Sequence, residues 1–140
     1  MKTAVIYWSG TGNTEKMAEA VAAGARSAGA ETTLLTASEF TAADVQAYDT
    51  LAFGCPAMGA ETLEEDEFAP MFESVKPALK GKKVALFGSY GRGDGEWMRT
   101  WESDCAAAGC AFAADSVTCN EAPDEDALAA CRALGAALGA

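Results

Sequence analysis

Hydroxyl side chains and glycines alternate near the start of the chain, in the stretch YWSGTGNT at positions 7–14. They are Ser9, Gly10, Thr11, Gly12 and Thr14. A short apolar run precedes this stretch, and a helical pattern follows it from Glu15. The free N–H groups and the dipole of a helix start attract an anion, glycines let the backbone turn around it, and hydroxyls add donors. The stretch therefore predicts a phosphate-binding loop.

Two better-known phosphate loops do not match this stretch. A mononucleotide-binding P-loop would contain Gly-Lys-Ser/Thr, whereas this loop reads Gly12-Asn13-Thr14 and has no lysine. The dinucleotide-binding fingerprint needs a third glycine where this chain has Glu15. The alternative is a plain strand-to-helix turn with Asn13 or Thr14 as the N-cap. We favour the phosphate loop, because plain turns rarely cluster hydroxyls with glycines in this way.

The composition argues against several other kinds of site. The chain has no histidine, so His-based catalytic triads are excluded and a zinc site is not expected. Its cysteines show no CxxC spacing, and we interpret most of them as small buried hydrophobic residues: Cys55, Cys105, Cys110, Cys119 and Cys131. The net charge of −11 argues against nucleic acid as a partner, because phosphates require Lys and Arg.

Length and hydropathy predict one soluble domain over residues 1–140. Half of the residues are apolar, which is enough for a core. No apolar run approaches the roughly 18 residues of a membrane helix. The apolar stretch after Met1-Lys2 runs directly into the loop without a cleavage-like region. We therefore expect a cytoplasmic protein that does not enter a membrane.

Strand and helix patterns alternate along the rest of the chain. Strands are predicted at 4–6, 31–36, 51–54 and 84–87, with an interrupted fifth strand at 111–113 and 116–118. Helical patterns run from Glu15, from Thr41, from Leu63 to Val75, from Trp97 to Ala108, and from Asp124 to Leu138, and Pro70 is expected to bend the third of them. Short connections between such units give right-handed crossovers. The pattern predicts an α/β fold with a parallel sheet and helices on both faces.

In a parallel sheet of this kind, ligands bind beyond the carboxyl ends of the strands. Three loops of this sequence begin at those ends and contain unusual residues, at 9–14, 54–61 and 88–95. The last two are rich in glycine or proline, which marks them as sharply turned surface loops. We expect the three loops to form one site.

The three loops resemble the flavin-contacting loops of the short-chain flavodoxins. The similar stretches are YWSGTGNT (7–14), CPAMG (55–59) and GSYG (88–91), and the similarity continues through GEWM (95–98). This resemblance implies a flavodoxin-like three-layer sandwich with five parallel strands in the order 2-1-3-4-5. It also implies non-covalently bound FMN at the switch in winding direction, as in flavodoxin.

The resemblance also implies a role for each loop. The first would hold the phosphate of FMN, and the second and third would hold the flavin ring between them. The implied cofactor-binding residues are Ser9, Gly10, Thr11, Gly12, Asn13, Thr14, Pro56, Ala57, Met58, Gly59, Glu61, Ser89, Tyr90, Gly91, Arg92 and Gly93.

Three residues of the second loop have individual implied roles. Met58 would pack on one ring face, the Gly59 peptide would turn towards N5 of the reduced ring, and Glu61 would bond to N3. Without this resemblance, we would interpret Met58 as a residue that only packs within its loop and Glu61 as one solvated acid among several.

Arg92 departs from the resemblance, because close relatives usually carry tryptophan at this position. Its guanidinium can also stack on an aromatic ring, and its positive charge would then make the flavin easier to reduce. Alternatively, Arg92 points to solvent or pairs with Asp94 or Glu96, which leaves Tyr90 beside the flavin. Redox titration of Arg92→Trp distinguishes these two interpretations.

The function implied is that of a low-potential one-electron carrier, not an enzyme, which cycles FMN between quinone, semiquinone and hydroquinone forms. Acidic residues near the flavin edge would steer a monomeric protein to basic patches on redox partners, including ferredoxin-type donors and acceptors. They are Glu61, Glu64, Glu65, Asp66, Glu67, Asp94 and Glu96. Two alternatives are an FMN-dependent quinone or nitro reductase and a flavodoxin-like module that has lost FMN.

Overall fold

The computed structural model describes residues 1–59, 61–91 and 93–140. Its strands and helices are β1 (Lys2–Tyr7), α1 (Asn13–Ser27), β2 (Glu31–Thr36), β3 (Thr50–Gly54), α2 (Phe68–Val75), β4 (Lys83–Tyr90), α3 (Glu96–Ala107), β5 (Ala111–Phe112), β6 (Val117–Asn120) and α4 (Glu125–Gly139). Short 3₁₀ turns cover Ala37–Glu39, Ala42–Ala47 and Lys76–Ala78. Within the described ranges, no helix is both long enough and apolar enough to cross a membrane.

The strands form one parallel sheet in the order β2-β1-β3-β4-β5, and β6 also pairs with β4. This order confirms the predicted topology. The fifth strand is interrupted, as predicted: β5 lies beside the start of β4 and β6 lies beside its end. All carboxyl ends therefore point to the same edge of the sheet, where the three predicted loops begin.

The alternation of side chains along each strand divides the core between the two faces of the sheet. On one face, Ile6 and Phe53 pack with the aromatic residues of α2 and α3. Trp101 lies edge-on to Phe68 and Phe72, with ring centroids 5.4 and 5.7 Å apart. On the other face, smaller residues of β1, β3 and β4 pack under α1 and α4.

Glycines bring α1 and α4 into contact through their backbones. A Cβ atom at Gly24 would overlap the carbonyl oxygen of Arg132, and one at Gly135 would overlap that of Val21. A Cβ atom at Gly139 would lie 2.7 Å from the carbonyl oxygen of Ala25. The sequence analysis did not predict that the two helices pack this closely.

Helix α2 begins later than predicted, at Phe68 and not at Leu63. The reason is Glu64, whose side chain is only 4% exposed. Its carboxylate accepts hydrogen bonds from the N–H groups of Asp66, Glu67 and Phe68 at 2.7–2.8 Å. The predicted acidic first turn is therefore a capping turn outside the helix. Pro70 is the third residue of α2, where the missing N–H costs no helical hydrogen bond.

The buried Glu64 cap gives a pH prediction. Burial raises the pKa of Glu64, but the three N–H donors outweigh burial and hold that pKa below its ordinary value. A lowered carboxyl pKa adds stability above the pKa of the unfolded chain, and this stability is lost as the pH falls through the folded value. We expect Glu64→Gln to lower the free energy of unfolding by roughly 1–3 kcal/mol near neutral pH. We also expect it to flatten the loss of stability below about pH 4.5, close to the ordinary pKa of glutamate.

Urea unfolding of the apoprotein at several pH values measures both effects. The matched control is Glu65→Gln, because Glu65 is the exposed neighbour of Glu64. The same pH profile in both variants would contradict the capping role.

Candidate functional site

Hydrogen bonds join the three loops to one another at the carboxyl edge of the sheet. The Trp8 N–H donates to the carbonyl of Gly54 at 3.0 Å, which ties the first loop to the second. The Ala57 N–H donates to the carbonyl of Ser89 at 3.0 Å, which ties the second to the third. The Thr14 and Ser89 hydroxyls lie 3.3 Å apart and close the ring between the first and third loops. Because Thr14 and Ser89 are both buried, this last contact is part of the framework.

The first loop is held in shape by the Ser9 hydroxyl. Its Oγ accepts hydrogen bonds from the N–H groups of Gly12 at 3.1 Å and Glu15 at 3.2 Å. A serine hydroxyl has two acceptor sites and one donor, so both acceptor sites are used and the hydrogen remains free to donate. A hydroxyl in this state suits a ligand that only accepts, such as a phosphate oxygen.

The helix start beside Ser9 presents unpaired backbone donors. The N–H groups of Gly10, Thr11, Asn13 and Thr14 have no acceptor within residues 1–59, 61–91 and 93–140. The N-cap of α1 is Gly12, with a φ of 97° and no side-chain capping bond. Neither Asn13 nor Thr14 is therefore the N-cap that the alternative of a plain turn assumed. A left-handed backbone at the N-cap favours glycine and leaves these donors open to a ligand.

A crevice of about 250 Å³ opens beside these donors, between the three loops. Most of its lining residues are among the predicted ones: Gly10, Thr11, Asn13, Pro56, Ala57, Met58, Ser89, Tyr90 and Gly91. Trp8 and Glu121 also line it: Trp8 belongs to the first of the three similar stretches but was not among the implied cofactor-binding residues, and Glu121 was not predicted at all. Ser9 and Gly12 face an adjoining polar cavity, and Thr14 lies buried behind the loop.

The second loop turns back on itself directly after the crevice. The carbonyl of Met58 accepts from the Glu61 N–H at 2.8 Å, and the Met58 N–H donates to the carbonyl of Thr62 at 2.9 Å. The Met58 side chain is 37% exposed, so it is not part of the core. A Cβ atom at Gly59 would meet no atom of the described chain within 4 Å. The contact predicted between the Gly59 peptide and the flavin stays a prediction.

The Glu61 carboxylate connects the second loop to the third. One of its oxygens, Oε2, accepts from the Trp97 N–H at 2.9 Å, at the start of α3. A Cβ atom at Gly93, whose φ is 92°, would overlap the other oxygen, so Gly93 lets the carboxylate approach. Glu61 does not line the crevice, and the ring contact predicted for it stays a prediction. The solvated-acid interpretation is wrong, because this carboxylate holds the start of a helix.

The end of β6 supports the third loop through residues that the sequence analysis did not select. The Asn120 side-chain amide donates to the carbonyls of Tyr90 at 3.3 Å and Gly91 at 2.8 Å. The Glu121 N–H also donates to the carbonyl of Tyr90, and Glu121 has a φ of 59°. The signal was available: Asn120 and Glu121 follow the fifth strand, at the same edge as the other loops.

Arg92 lies outside the described residues, so the predicted effect of its charge stays a prediction. One of its proposed partners, Asp94, forms an ion pair with Arg99 at 3.1 Å. Of the predicted acidic set, Glu64 is buried as the cap of α2, and its charge is therefore not presented at the surface.

No covalent chemistry is indicated for the residues around the crevice. Burial raises the pKa of Cys55 to about 12, so its thiol is protonated and unreactive at neutral pH. In the described part of the chain, no group of three or more Cys, Asp or Glu side chains is arranged to hold a metal ion. The site is suited to binding a ligand by hydrogen bonds and packing.

Comparison with known proteins gives consistent matches over nearly the whole chain. The family model for flavodoxin matches residues 5–135. The flavodoxin of Clostridium beijerinckii is 46% identical over 121 residues, which cover 86% of this chain and 88% of that protein. The flavodoxin of Megasphaera elsdenii is 43% identical over 133 residues, which cover 95% of each chain.

Solved structures agree with these sequence matches. The solution structure of two-electron reduced Megasphaera elsdenii flavodoxin superposes with a TM-score of 0.89 at 42% identity and covers 98% of each chain. An archaeal flavodoxin superposes with a TM-score of 0.87 at 26% identity and covers 99% of this chain and 96% of its own.

Proposed function

The chain belongs to the flavodoxin family of FMN-binding electron carriers, and we propose that the crevice between its three loops holds the cofactor. The observation that carries this proposal is that free N–H donors at the start of α1 lie beside a mostly apolar crevice. FMN has the same two parts, an anionic phosphate and a flat aromatic ring. Family membership favours an electron carrier over the quinone or nitro reductase considered from the sequence.

The first loop fits a phosphate monoester without any cation. The free N–H groups of Gly10, Thr11, Asn13 and Thr14 would donate to its oxygens, and so would the Ser9 hydroxyl. The dipole of α1 adds favourable potential at the same point. Hydrogen bonds to a charged group are about twice as strong as neutral ones, so such a set of donors can replace a lysine.

The second and third loops would hold the ring. Met58 and Tyr90 present side chains to the crevice from opposite loops, and Trp8 adds a further apolar surface. Glu61, fixed by Trp97, would accept a hydrogen bond from the ring edge, and Gly59 would offer its peptide to the ring nitrogen. FMN, when bound, supplies reversible one- and two-electron transfer, and these residues would bind and orient it.

Titration of the apoprotein with FMN tests this proposal. Flavin fluorescence should be quenched at a stoichiometry of one, and the purified protein should be yellow. A protein that binds no flavin would instead support the alternative of a module that has lost FMN.

The proposed partners are redox proteins with basic patches, including ferredoxin-type donors and acceptors. The exposed carboxylates that follow the second loop or lie at the end of the third support this, namely Glu65, Asp66, Glu67, Asp94 and Glu96, together with the net charge of −11. Clustered charge of one sign steers oppositely charged partners and raises the association rate. We further propose that the protein acts as a monomer in the cytoplasm; sedimentation would show the first and cell fractionation the second.

Salt dependence tests the steering. Electron transfer from the reduced protein to a basic c-type cytochrome should slow by roughly tenfold or more as salt screens the attraction. Stopped-flow mixing over a range of ionic strength measures the second-order rate constant. Glu65→Lys should slow the reaction at low salt, whereas Glu31→Lys should not. The substitution Glu31→Lys makes the same charge change at the amino end of β2, on the opposite edge of the sheet. Rates that do not depend on salt would remove the steering role.

A further inference from the structure

Helix α3 ends in a turn that brings two cysteines together. The Cys110 N–H donates to the carbonyl of Cys105 at 3.1 Å, and the Gly109 N–H donates to that of Ala106 at 3.1 Å. Gly109 has a φ of 87°, which completes a Schellman motif. In this motif the side chains at the positions of Cys105 and Cys110 usually contact one another.

The backbone geometry places the pair within reach of a disulfide. With standard bond lengths, a 3.1 Å bond from the Cys110 N–H to the Cys105 carbonyl keeps the two Cα atoms within about 7 Å. Disulfides span Cα separations of about 4.4–6.8 Å, so little backbone movement is required. Both side chains belong to the same core cluster.

The two thiols differ in accessibility and in acidity. Cys105 is fully buried, whereas Cys110 is partly exposed. The neighbouring Cys110 thiol raises the pKa of Cys105, and burial raises it further. The neighbouring Cys105 thiol in turn lowers the pKa of Cys110 below its ordinary value. This is the arrangement of a reactive thiol beside a protected second one.

We propose that Cys105 and Cys110 form a redox-active pair that closes to a disulfide when the protein meets hydrogen peroxide. The Cys110 thiolate attacks one peroxide oxygen, the O–O bond breaks, and Cys110 becomes a sulfenic acid as hydroxide leaves and is protonated to water. The Cys105 thiol then attacks the Cys110 sulfur and gives up its proton, the S–O bond breaks, and the departing hydroxide takes that proton to leave as a second water. Two thiols are oxidised by two electrons, and one peroxide is reduced to two waters.

The pair lies far from the cofactor crevice. Ala111, next to Cys110, pairs with Lys83 at the amino end of β4, whereas the crevice is at the carboxyl edge. Oxidation of this pair would therefore protect the thiols reversibly without altering the electron-transfer site.

The other cysteines provide internal controls. Burial raises the pKa values of both Cys55 and Cys131 to about 12, so neither presents the thiolate that the first attack on peroxide requires. Cys119 is partly exposed like Cys110, but burial raises its pKa, and its sulfur lies 3.6 Å from the thioether of Met17. Cys119 is therefore the matched control for Cys110.

The test treats the FMN-loaded protein with a small molar excess of hydrogen peroxide. We expect intact mass to fall by two hydrogen atoms, titratable thiols to fall from five to three, and peptide mapping to link Cys105 to Cys110. Dithiothreitol should reverse all of these changes. The mass loss should persist in Cys119→Ser and disappear in Cys110→Ser, while Cys105→Ser should leave a sulfenic acid on Cys110 that dimedone captures.

Peptide mapping of the unmutated protein decides the outcome even if a variant folds poorly. A different cross-link, a Cys110 sulfinic acid with Cys105 still titratable, or no oxidation of Cys110 would each overturn the proposal. Unchanged flavin absorbance after oxidation is expected, and loss of FMN would overturn the claim that the pair is separate from the crevice.

Discussion

Gly135→Ala is expected to lower the free energy of unfolding by about 2 kcal/mol or more. A Cβ atom at Gly135 would overlap the carbonyl oxygen of Val21 and lie 2.8 Å from the backbone nitrogen of Ala25. Both atoms belong to the backbone of α1, so no change of rotamer can relieve the contact. The two helices must move apart, and the packing of α1 and α4 on the sheet is then lost in part.

The expected loss of stability is opposite in sign to the effect of helix propensity. Alanine is a better helix former than glycine by about 0.5–1 kcal/mol, so propensity alone predicts a more stable protein. Urea unfolding of the apoprotein measures the difference. Gly91→Ala is a loop control for the effect of the same substitution on the unfolded chain, because a Cβ atom there meets no atom of the described residues within 4 Å. Stability equal to or above that of the unmutated protein in Gly135→Ala would show that the helices do not touch through their backbones.

The sequence predicted the parts of the fold that depend on local pattern. The strand at 31–36 and the start of the last helix at Asp124 agree with the structure, because alternation and capping residues act within a few positions. The place of the site also followed from the sequence, because parallel strands align their carboxyl ends at one edge. Fold class, sheet order and the meeting of three loops were therefore predictable.

Long-range pairing of side chains with backbone was not predictable. Glu61 and Glu64 are acids of one type, three positions apart, and the sequence assigns both to an acidic rim. In the structure, Glu64 caps α2 and Glu61 fixes the start of α3, 36 positions further along the chain. Which acid turns inward depends on which N–H groups the tertiary fold leaves unpaired, and no local pattern contains that information.

Asn120 shows the same limit at the crevice. Asparagine is a common residue near loops, so its presence gives no sign of a special role. Its side-chain amide nevertheless donates to two carbonyls of the third loop. Only the pairing of β6 with the end of β4 puts these groups side by side. The residues that support the site were therefore harder to find than the residues that line it.

The second large prediction concerns Ser9→Ala, which we expect to weaken FMN binding by roughly 10–100-fold. The Ser9 hydroxyl holds the N–H groups of Gly12 and Glu15 in place and has its own hydrogen free for a phosphate oxygen. Loss of one hydrogen bond to a charged group costs about 1.5–3 kcal/mol, and each 1.4 kcal/mol is a factor of ten in Kd. Fluorescence titration of the apoprotein measures the change.

Riboflavin separates this role from a general loosening of the site, because it has the same ring but no phosphate. If Ser9 acts on the phosphate, Ser9→Ala should leave the Kd for riboflavin within about twofold of the unmutated value, well under one hydrogen bond. Ser27→Ala, an exposed serine at the far end of α1, should change neither affinity. Equal weakening for FMN and riboflavin would mean that Ser9 maintains the shape of the whole site and does not act on the phosphate. The free backbone N–H groups of Gly10, Thr11, Asn13 and Thr14 would then account for the affinity for phosphate.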